Sequence, residues 1–137
     1  MAEEKKQNIS IFLVDDDEFL LDMYALKFRK AGFDVEVARG GEEALSKLKD
    51  GYSPTVVLLD VVMPQISGFE LLETAKKEKL LLGSIVIILS NLGQKEDVEK
   101  GKKLGVVDYI IKASFTPSEV VEKVNAILQK YNKKKQE

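Results

Sequence analysis

The sequence predicts an α/β domain, a doubly wound sheet of five parallel strands flanked by five helices. Two observations carry that prediction. Short apolar runs alternate with amphipathic stretches five times along the chain, which is the pattern of parallel βαβ units. The first, third and fourth runs are almost continuously apolar, so those strands are expected to be buried on both sheet faces. A third observation points to where the chemistry lies. Asp15-Asp16, Asp60, Ser90 and Lys112 each stand at the end of an apolar run. In a parallel α/β sheet the carboxyl ends of the strands share one edge, where ligands bind.

The elements follow in order. The first strand covers residues 9–14. The first helix spans about residues 17–31, with Leu20, Tyr24 and Phe28 on one face and Gly32 as its stop. The second strand, residues 33–37, alternates Phe33, Val35 and Val37 with Asp34 and Glu36, which places it at a sheet edge. The second helix, about residues 42–49, buries Ala44, Leu45 and Leu48. The third strand covers residues 55–59. The third helix opens at Ser67 with Glu70 three residues on, a capping box, and buries Leu71, Leu72 and Ala75. The fourth strand covers residues 84–89. The fourth helix, about residues 94–104, has only Val98 and Leu104 as apolar anchors, carries Gly101 inside it and stops at Gly105. The fifth strand covers residues 106–111. The fifth helix opens on Thr116-Pro117-Ser118-Glu119, a capping box with proline in the first turn, and buries Val120, Val124, Ile127 and Leu128. Residues 1–8 and 132–137 are rich in lysine and glutamate and read as flexible tails around a single domain over residues 9–131.

The bulk composition narrows the chemistry. The chain has 137 residues, enough for one domain with a real core. A net charge of −2 offers no electrostatic case for direct nucleic-acid or membrane binding. The chain has no cysteine and no histidine, which removes thiol chemistry, the commonest general base and the commonest zinc ligand. A site must then use carboxylates, hydroxyls, lysine and arginine, a donor set suited to hard cations such as magnesium. The N-terminal residues lack the apolar core of a secretory signal. The longest apolar runs hold about six residues against the roughly 20 a membrane helix needs. The expected compartment is the cytoplasm.

Acidic side chains crowded at one edge raise each other's pKa, and a divalent cation relieves that repulsion. Magnesium takes one or two carboxylates and keeps several waters. Asp16 and Asp60 are the expected direct ligands, with Asp15 acting through water and Asp17 capping the first helix. Asp60 can also act as a nucleophile, since a carboxylate attacks phosphorus to form an aspartyl phosphate. The Ser90 hydroxyl and the Lys112 ammonium would then neutralise the transferred oxygens. A lysine ending a strand usually faces solvent, so the shared sheet edge is what gives Lys112 its weight.

Val14-Asp15-Asp16-Asp17, Leu59-Asp60-Val61-Val62-Met63-Pro64 followed by Gly68, Ser90, and Asp108-Tyr109-Ile110-Ile111-Lys112 together resemble the receiver domain of two-component response regulators, in its single-domain chemotaxis-regulator form. The resemblance covers roughly residues 8–130. It implies a flavodoxin-like sheet in the order 2-1-3-4-5. It implies phosphorylation of Asp60 by a sensor histidine kinase or histidine phosphotransfer protein, with Ser90 and Lys112 assisting. It implies a magnesium site made by Asp15, Asp16, Asp60 and the backbone carbonyl of Val62. Ser90 and Tyr109 resemble the family's switch pair, and the face of helix 4, strand 5 and helix 5 would pass the signal to a downstream protein or a fused output domain. Such a protein catalyses only its own phosphorylation and dephosphorylation, and is a monomer or a phosphorylation-dependent dimer.

Two departures from the family pattern stand out. Family members usually follow the lysine with a cis-proline, whereas Lys112 is followed by Ala113-Ser114-Phe115 in a loop one residue longer. A cis bond before a non-proline residue costs about 2.5–4 kcal/mol, which favours an all-trans path, although the sequence leaves the isomer open. Val62 and Leu92 also flank the pocket where polar side chains are common, and neither can orient water. Other readings fit less well. A haloacid-dehalogenase-type phosphatase needs an acid where Val62 stands. In a flavodoxin, Asp15-Asp16-Asp17 would repel the phosphate. No G-x-G-x-x-G follows a strand. The remaining alternative is a phosphorylation-independent receiver-like scaffold or binding module.

Overall fold

The computed structural model describes residues 8–136, with side chains through Asn132. Five parallel strands, β1 (Ser10–Val14), β2 (Asp34–Ala38), β3 (Val56–Leu59), β4 (Ile85–Ser90) and β5 (Asp108–Ile111), form one sheet in the order β2-β1-β3-β4-β5. The helices are α1 (Glu18–Lys30), α2 (Gly41–Lys49), α3 (Gly68–Lys77), α4 (Lys95–Lys103) and α5 (Pro117–Gln136). Successive strand side chains point to opposite faces, and the core divides accordingly. Ile11, Leu13, Val56, Leu58, Ile85 and Ile87 pack with Leu21, Tyr24, Phe28, Val120 and Val124 of α1 and α5. Phe12, Val14, Val57, Leu59, Val86 and Ile88 pack with Ala44, Leu48, Phe69, Leu71 and Leu72 of α2 and α3.

Several boundaries differ from the sequence reading. β2 starts at Asp34, because the Phe33 N–H turns back to the Phe28 carbonyl at the end of α1. β5 starts at Asp108, although the Val107 N–H still reaches the Val86 carbonyl at 2.8 Å. In α1 the buried face is Leu21, Tyr24, Ala25 and Phe28, and Leu20 lies partly exposed beside it. α5 runs on through Asn132 to Gln136, where a tail was expected. The expected N-terminal tail lies, except for Asn8, outside the described residues. Among the described residues no helix is long and apolar enough to cross a membrane.

The register of the sheet aligns the polar strand ends. Val14 pairs with Leu59, so Asp15 and Asp60 leave the sheet side by side. The Asp60 N–H is bonded to the Val14 carbonyl at 2.9 Å. Leu59 pairs with Ile88 and Ser90 with Ile111, which brings Ser90 and Lys112 to the same edge.

Candidate functional site

Asp15 and Asp60 are 4% and 6% exposed and Ser90 is fully buried, the three buried polar or charged side chains among the described residues. Lys112 Nζ lies 2.8 Å from Asp15 Oδ2 and 3.2 Å from Asp60 Oδ2, bridging the two carboxylates. The remaining oxygens are held by backbone. Asp15 Oδ1 accepts from the Asp17 N–H at 2.9 Å, and Asp60 Oδ1 accepts from the Val62 N–H at 3.3 Å. Ser90 Oγ accepts from the Leu92 N–H at 3.2 Å. Asp16 is exposed and faces the same opening. An oxygen from each of Asp15, Asp16 and Asp60 lies within 4.8 Å of the others. This all-oxygen set at the mouth of an open cleft of about 630 Å³ fits a hard divalent cation that retains water.

Electrostatics agree with that fit. Burial pushes the Asp60 carboxyl above its ordinary value of 3.8; the Lys112 ammonium opposes the shift, Asp15 adds to it, and the Ser90 hydroxyl favours the charged form. Burial acts to lower the Lys112 ammonium, but its hydrogen bonds and charge pairing with Asp15 and Asp60 outweigh burial and leave it raised. A buried carboxylate pair with one ammonium between them retains excess negative charge, which a cation would offset.

The expected residues therefore converge, with a division of labour among the acids. Asp17 is the N-cap of α1, its side chain accepting from the Leu20 N–H at 3.1 Å. Tyr109 stands at the rim, and its hydroxyl donates to the Leu92 carbonyl in the loop after β4. Burial, with Asp97 and Asp60 adding to it, pushes that phenol up to about 12. Val62 and Leu92 line the cleft, 59% and 37% exposed. After Lys112 the chain makes one 3-10 turn (Lys112–Ser114), and no peptide bond among the described residues is cis. The all-trans path is the one realised.

Sequence reasoning missed the place of Tyr24 here, and it set Asn91 beside the pocket without its contact to Ala113. Tyr24 was read as core alone, yet it lines a small void beneath Asp15 and Asp60. Burial raises its phenol, Lys112 pulls it back, and Asp15 and Asp60 push it further up. Its place on the inward face of α1, near the acid-bearing strand end, was the available signal. Asn91 lines the cleft and accepts the Ala113 N–H at 2.8 Å. Nothing in the linear sequence links those two positions.

Fold and site define a doubly wound α/β domain with an acidic cleft at the carboxyl ends of its strands. Within that class, residues 11–125 match the response regulator receiver domain, and the chain belongs to that family. It is 33% identical over 123 residues to the alkaline phosphatase synthesis transcriptional regulatory protein PhoP of Bacillus subtilis, covering 90% of this chain and 50% of that protein. It is 37% identical over 120 residues to the transcriptional regulatory protein CpxR homolog of Haemophilus influenzae, covering 88% of this chain and 50% of that one. The chain thus spans about half the length of these relatives. Among solved structures it resembles a CheY-like response regulator receiver domain protein from Methanospirillum hungatei, with a TM-score of 0.82 and 28% identity over 93% of this chain and 99% of that one. The Francisella response regulator 1452 receiver domain gives 0.78 and 32% over 90% and 99%.

Proposed function

We propose that this chain accepts a phosphoryl group on Asp60 from the phosphohistidine of a sensor kinase or phosphotransfer protein, and passes the phosphorylated state to an output partner. The observation that carries the proposal is the buried Asp60 carboxylate held 3.2 Å from Lys112 Nζ, beside oxygens of Asp15 and Asp16 that converge with its own. An Asp60 carboxylate oxygen attacks phosphorus, the P–N bond breaks, and the imidazole leaves as a neutral ring once protonated. Lys112 and the Ser90 hydroxyl neutralise the oxygens of the transferred group, the electrostatic and positioning work this reaction demands. Asp15, Asp16, Asp60 and the Val62 carbonyl would hold Mg²⁺, which when bound supplies positive charge to the phosphoryl oxygens.

The output half of the proposal follows from Tyr109 and Ser90. Ser90 turning its hydroxyl to the phosphoryl group would move the loop whose Leu92 carbonyl Tyr109 holds, and so alter the face of α4, β5 and α5. The receiver of that change is a separate protein or a fused output domain. Catalysis is confined to the chain's own phosphorylation state, in the cytoplasm, with no direct contact to nucleic acid or membrane. The phosphorylation-independent scaffold has no observation in its favour.

The test is intact-mass measurement after incubation with acetyl phosphate and magnesium. Wild type should gain one phosphoryl group and Asp60→Asn none. Equal labelling of the variant would overturn the assignment.

A further inference from the structure

Two loops meet over Asp60. One leaves β4 at Ser90 and carries Asn91 and Leu92; the other follows β5 and opens with Lys112. Apart from the Tyr109 hydroxyl, they are joined by a bond with no part in the chemistry above, from the Ala113 N–H to Asn91 Oδ1 at 2.8 Å. A backbone N–H can only donate, so the amide oxygen of Asn91 must be the atom that faces it. The bond exists because residue 113 is not proline, which would have no N–H to give. The 3-10 turn after Lys112 is otherwise closed by a 3.3 Å bond from the Phe115 N–H to the Lys112 carbonyl. That bond leaves the Ala113 N–H free to point at the neighbouring loop.

The peptide plane that Asn91 grips is the one leaving Lys112. Fixing it fixes the direction in which the lysine side chain departs. That side chain is only 10% exposed and must reach 2.8 and 3.2 Å from two carboxylates at once. We propose that Asn91 is a positioning residue for Lys112: its side-chain oxygen clamps the Lys112-Ala113 peptide, and thereby sets the ammonium between Asp15 and Asp60. This rests on the phosphoryl-transfer reading of the site. Because Asn91 directly follows Ser90, the same bond also ties the hydroxyl and the ammonium into one unit. In this chain a side-chain hydrogen bond between the loops braces the 3-10 turn that opens at Lys112.

The experiment compares wild type, Asn91→Ala, Lys112→Ala and the double variant. Three quantities are measured: phosphoryl uptake from acetyl phosphate at saturating magnesium, magnesium affinity, and exchange of the Ala113 amide proton by NMR. Asn91→Ala should slow uptake roughly three- to tenfold, the worth of one net hydrogen bond. Its Ala113 amide should exchange faster than in wild type. Magnesium affinity should be unchanged or raised, since a loosened ammonium competes less for Asp15 and Asp60. In the Lys112→Ala background, Asn91→Ala should slow uptake no further. Uptake or Ala113 exchange equal to wild type, a parallel fall in magnesium affinity, or full additivity with Lys112→Ala would each overturn the role of Asn91 alone. A wild type that takes up no phosphoryl group overturns the proposed function and this inference with it.

Discussion

At the scale of single residues, the site is built around one unfavourable charge. A carboxyl whose folded pKa is raised holds its proton more tightly in the native state. The cost of ionising Asp60 therefore appears as pH rises above the ordinary 3.8, and is complete above the folded value. Near neutrality the folded protein bears that cost. Lys112 offsets part of it from 3.2 Å, and a cation or a transferred phosphoryl group with its metal would offset more. What the neighbours omit matters as much. Val62 and Leu92 line the cleft with no group able to hold a water in line with an acyl phosphate, and the Asn91 oxygen is already engaged with Ala113. The phosphorylated form is expected to hydrolyse slowly. Val62→Asn should speed the decay of phospho-Asp60 on the order of tenfold or more, because a positioned polar group commonly contributes at least that much. Time-resolved intact mass checks it, and a wild type that decays faster than the variant refutes it.

At the scale of elements, α3 is held close to the end of β3. Gly68 donates its N–H to the Val61 carbonyl at 2.8 Å, and a Cβ built on it would lie 2.3 Å from the Asp60 carbonyl oxygen and 2.8 Å from Val61 Cα. Both are backbone atoms and cannot swing aside. Gly68→Ala should therefore push the start of α3 away from the end of β3. The expected cost is about 1–3 kcal/mol in chemical denaturation, together with slower phosphoryl uptake as Asp60 shifts. A similar close approach lies in α4. Gly101 is that helix's buried residue, and a Cβ there would meet Ile88 Cδ1 and Val106 Cγ2 at 3.1 Å. The glycine lets a charged helix sit down on the sheet. The helix starts were plain in the sequence: Asp17, Ser67 and Thr116 each cap as their spacing foretold.

At the scale of the whole molecule, a cation bound by the converging oxygens of Asp15, Asp16 and Asp60 would couple binding to folding, because those oxygens come together only in the native sheet. At one hundred times its Kd, magnesium should stabilise wild type by about 2.7 kcal/mol, read as a rise in Tm at neutral pH. Asp16→Asn should remove most of that gain and Asp17→Asn almost none, since asparagine caps a helix about as well as aspartate. Without metal, Asp60→Asn should melt higher than wild type, because a neutral amide replaces a buried charge. A large magnesium defect in Asp17→Asn would overturn the division among the acids. The sequence by itself determined the element order, the edge position of β2, the two-sided burial of β1, β3 and β4, and the placing of Asp15, Asp16, Asp60, Ser90 and Lys112 at the ends of apolar runs. Those follow from periodicity and from which polar residues end apolar runs, both local properties of the chain. Only the tertiary structure decided that Lys112 bridges Asp15 and Asp60, that Tyr24 lies beneath them, that Gly68 and Gly101 mark close approaches, and that Asn91 reaches Ala113. Each of these depends on the register between strands and on the path of loops far apart in sequence, and no local pattern encodes the distance between them.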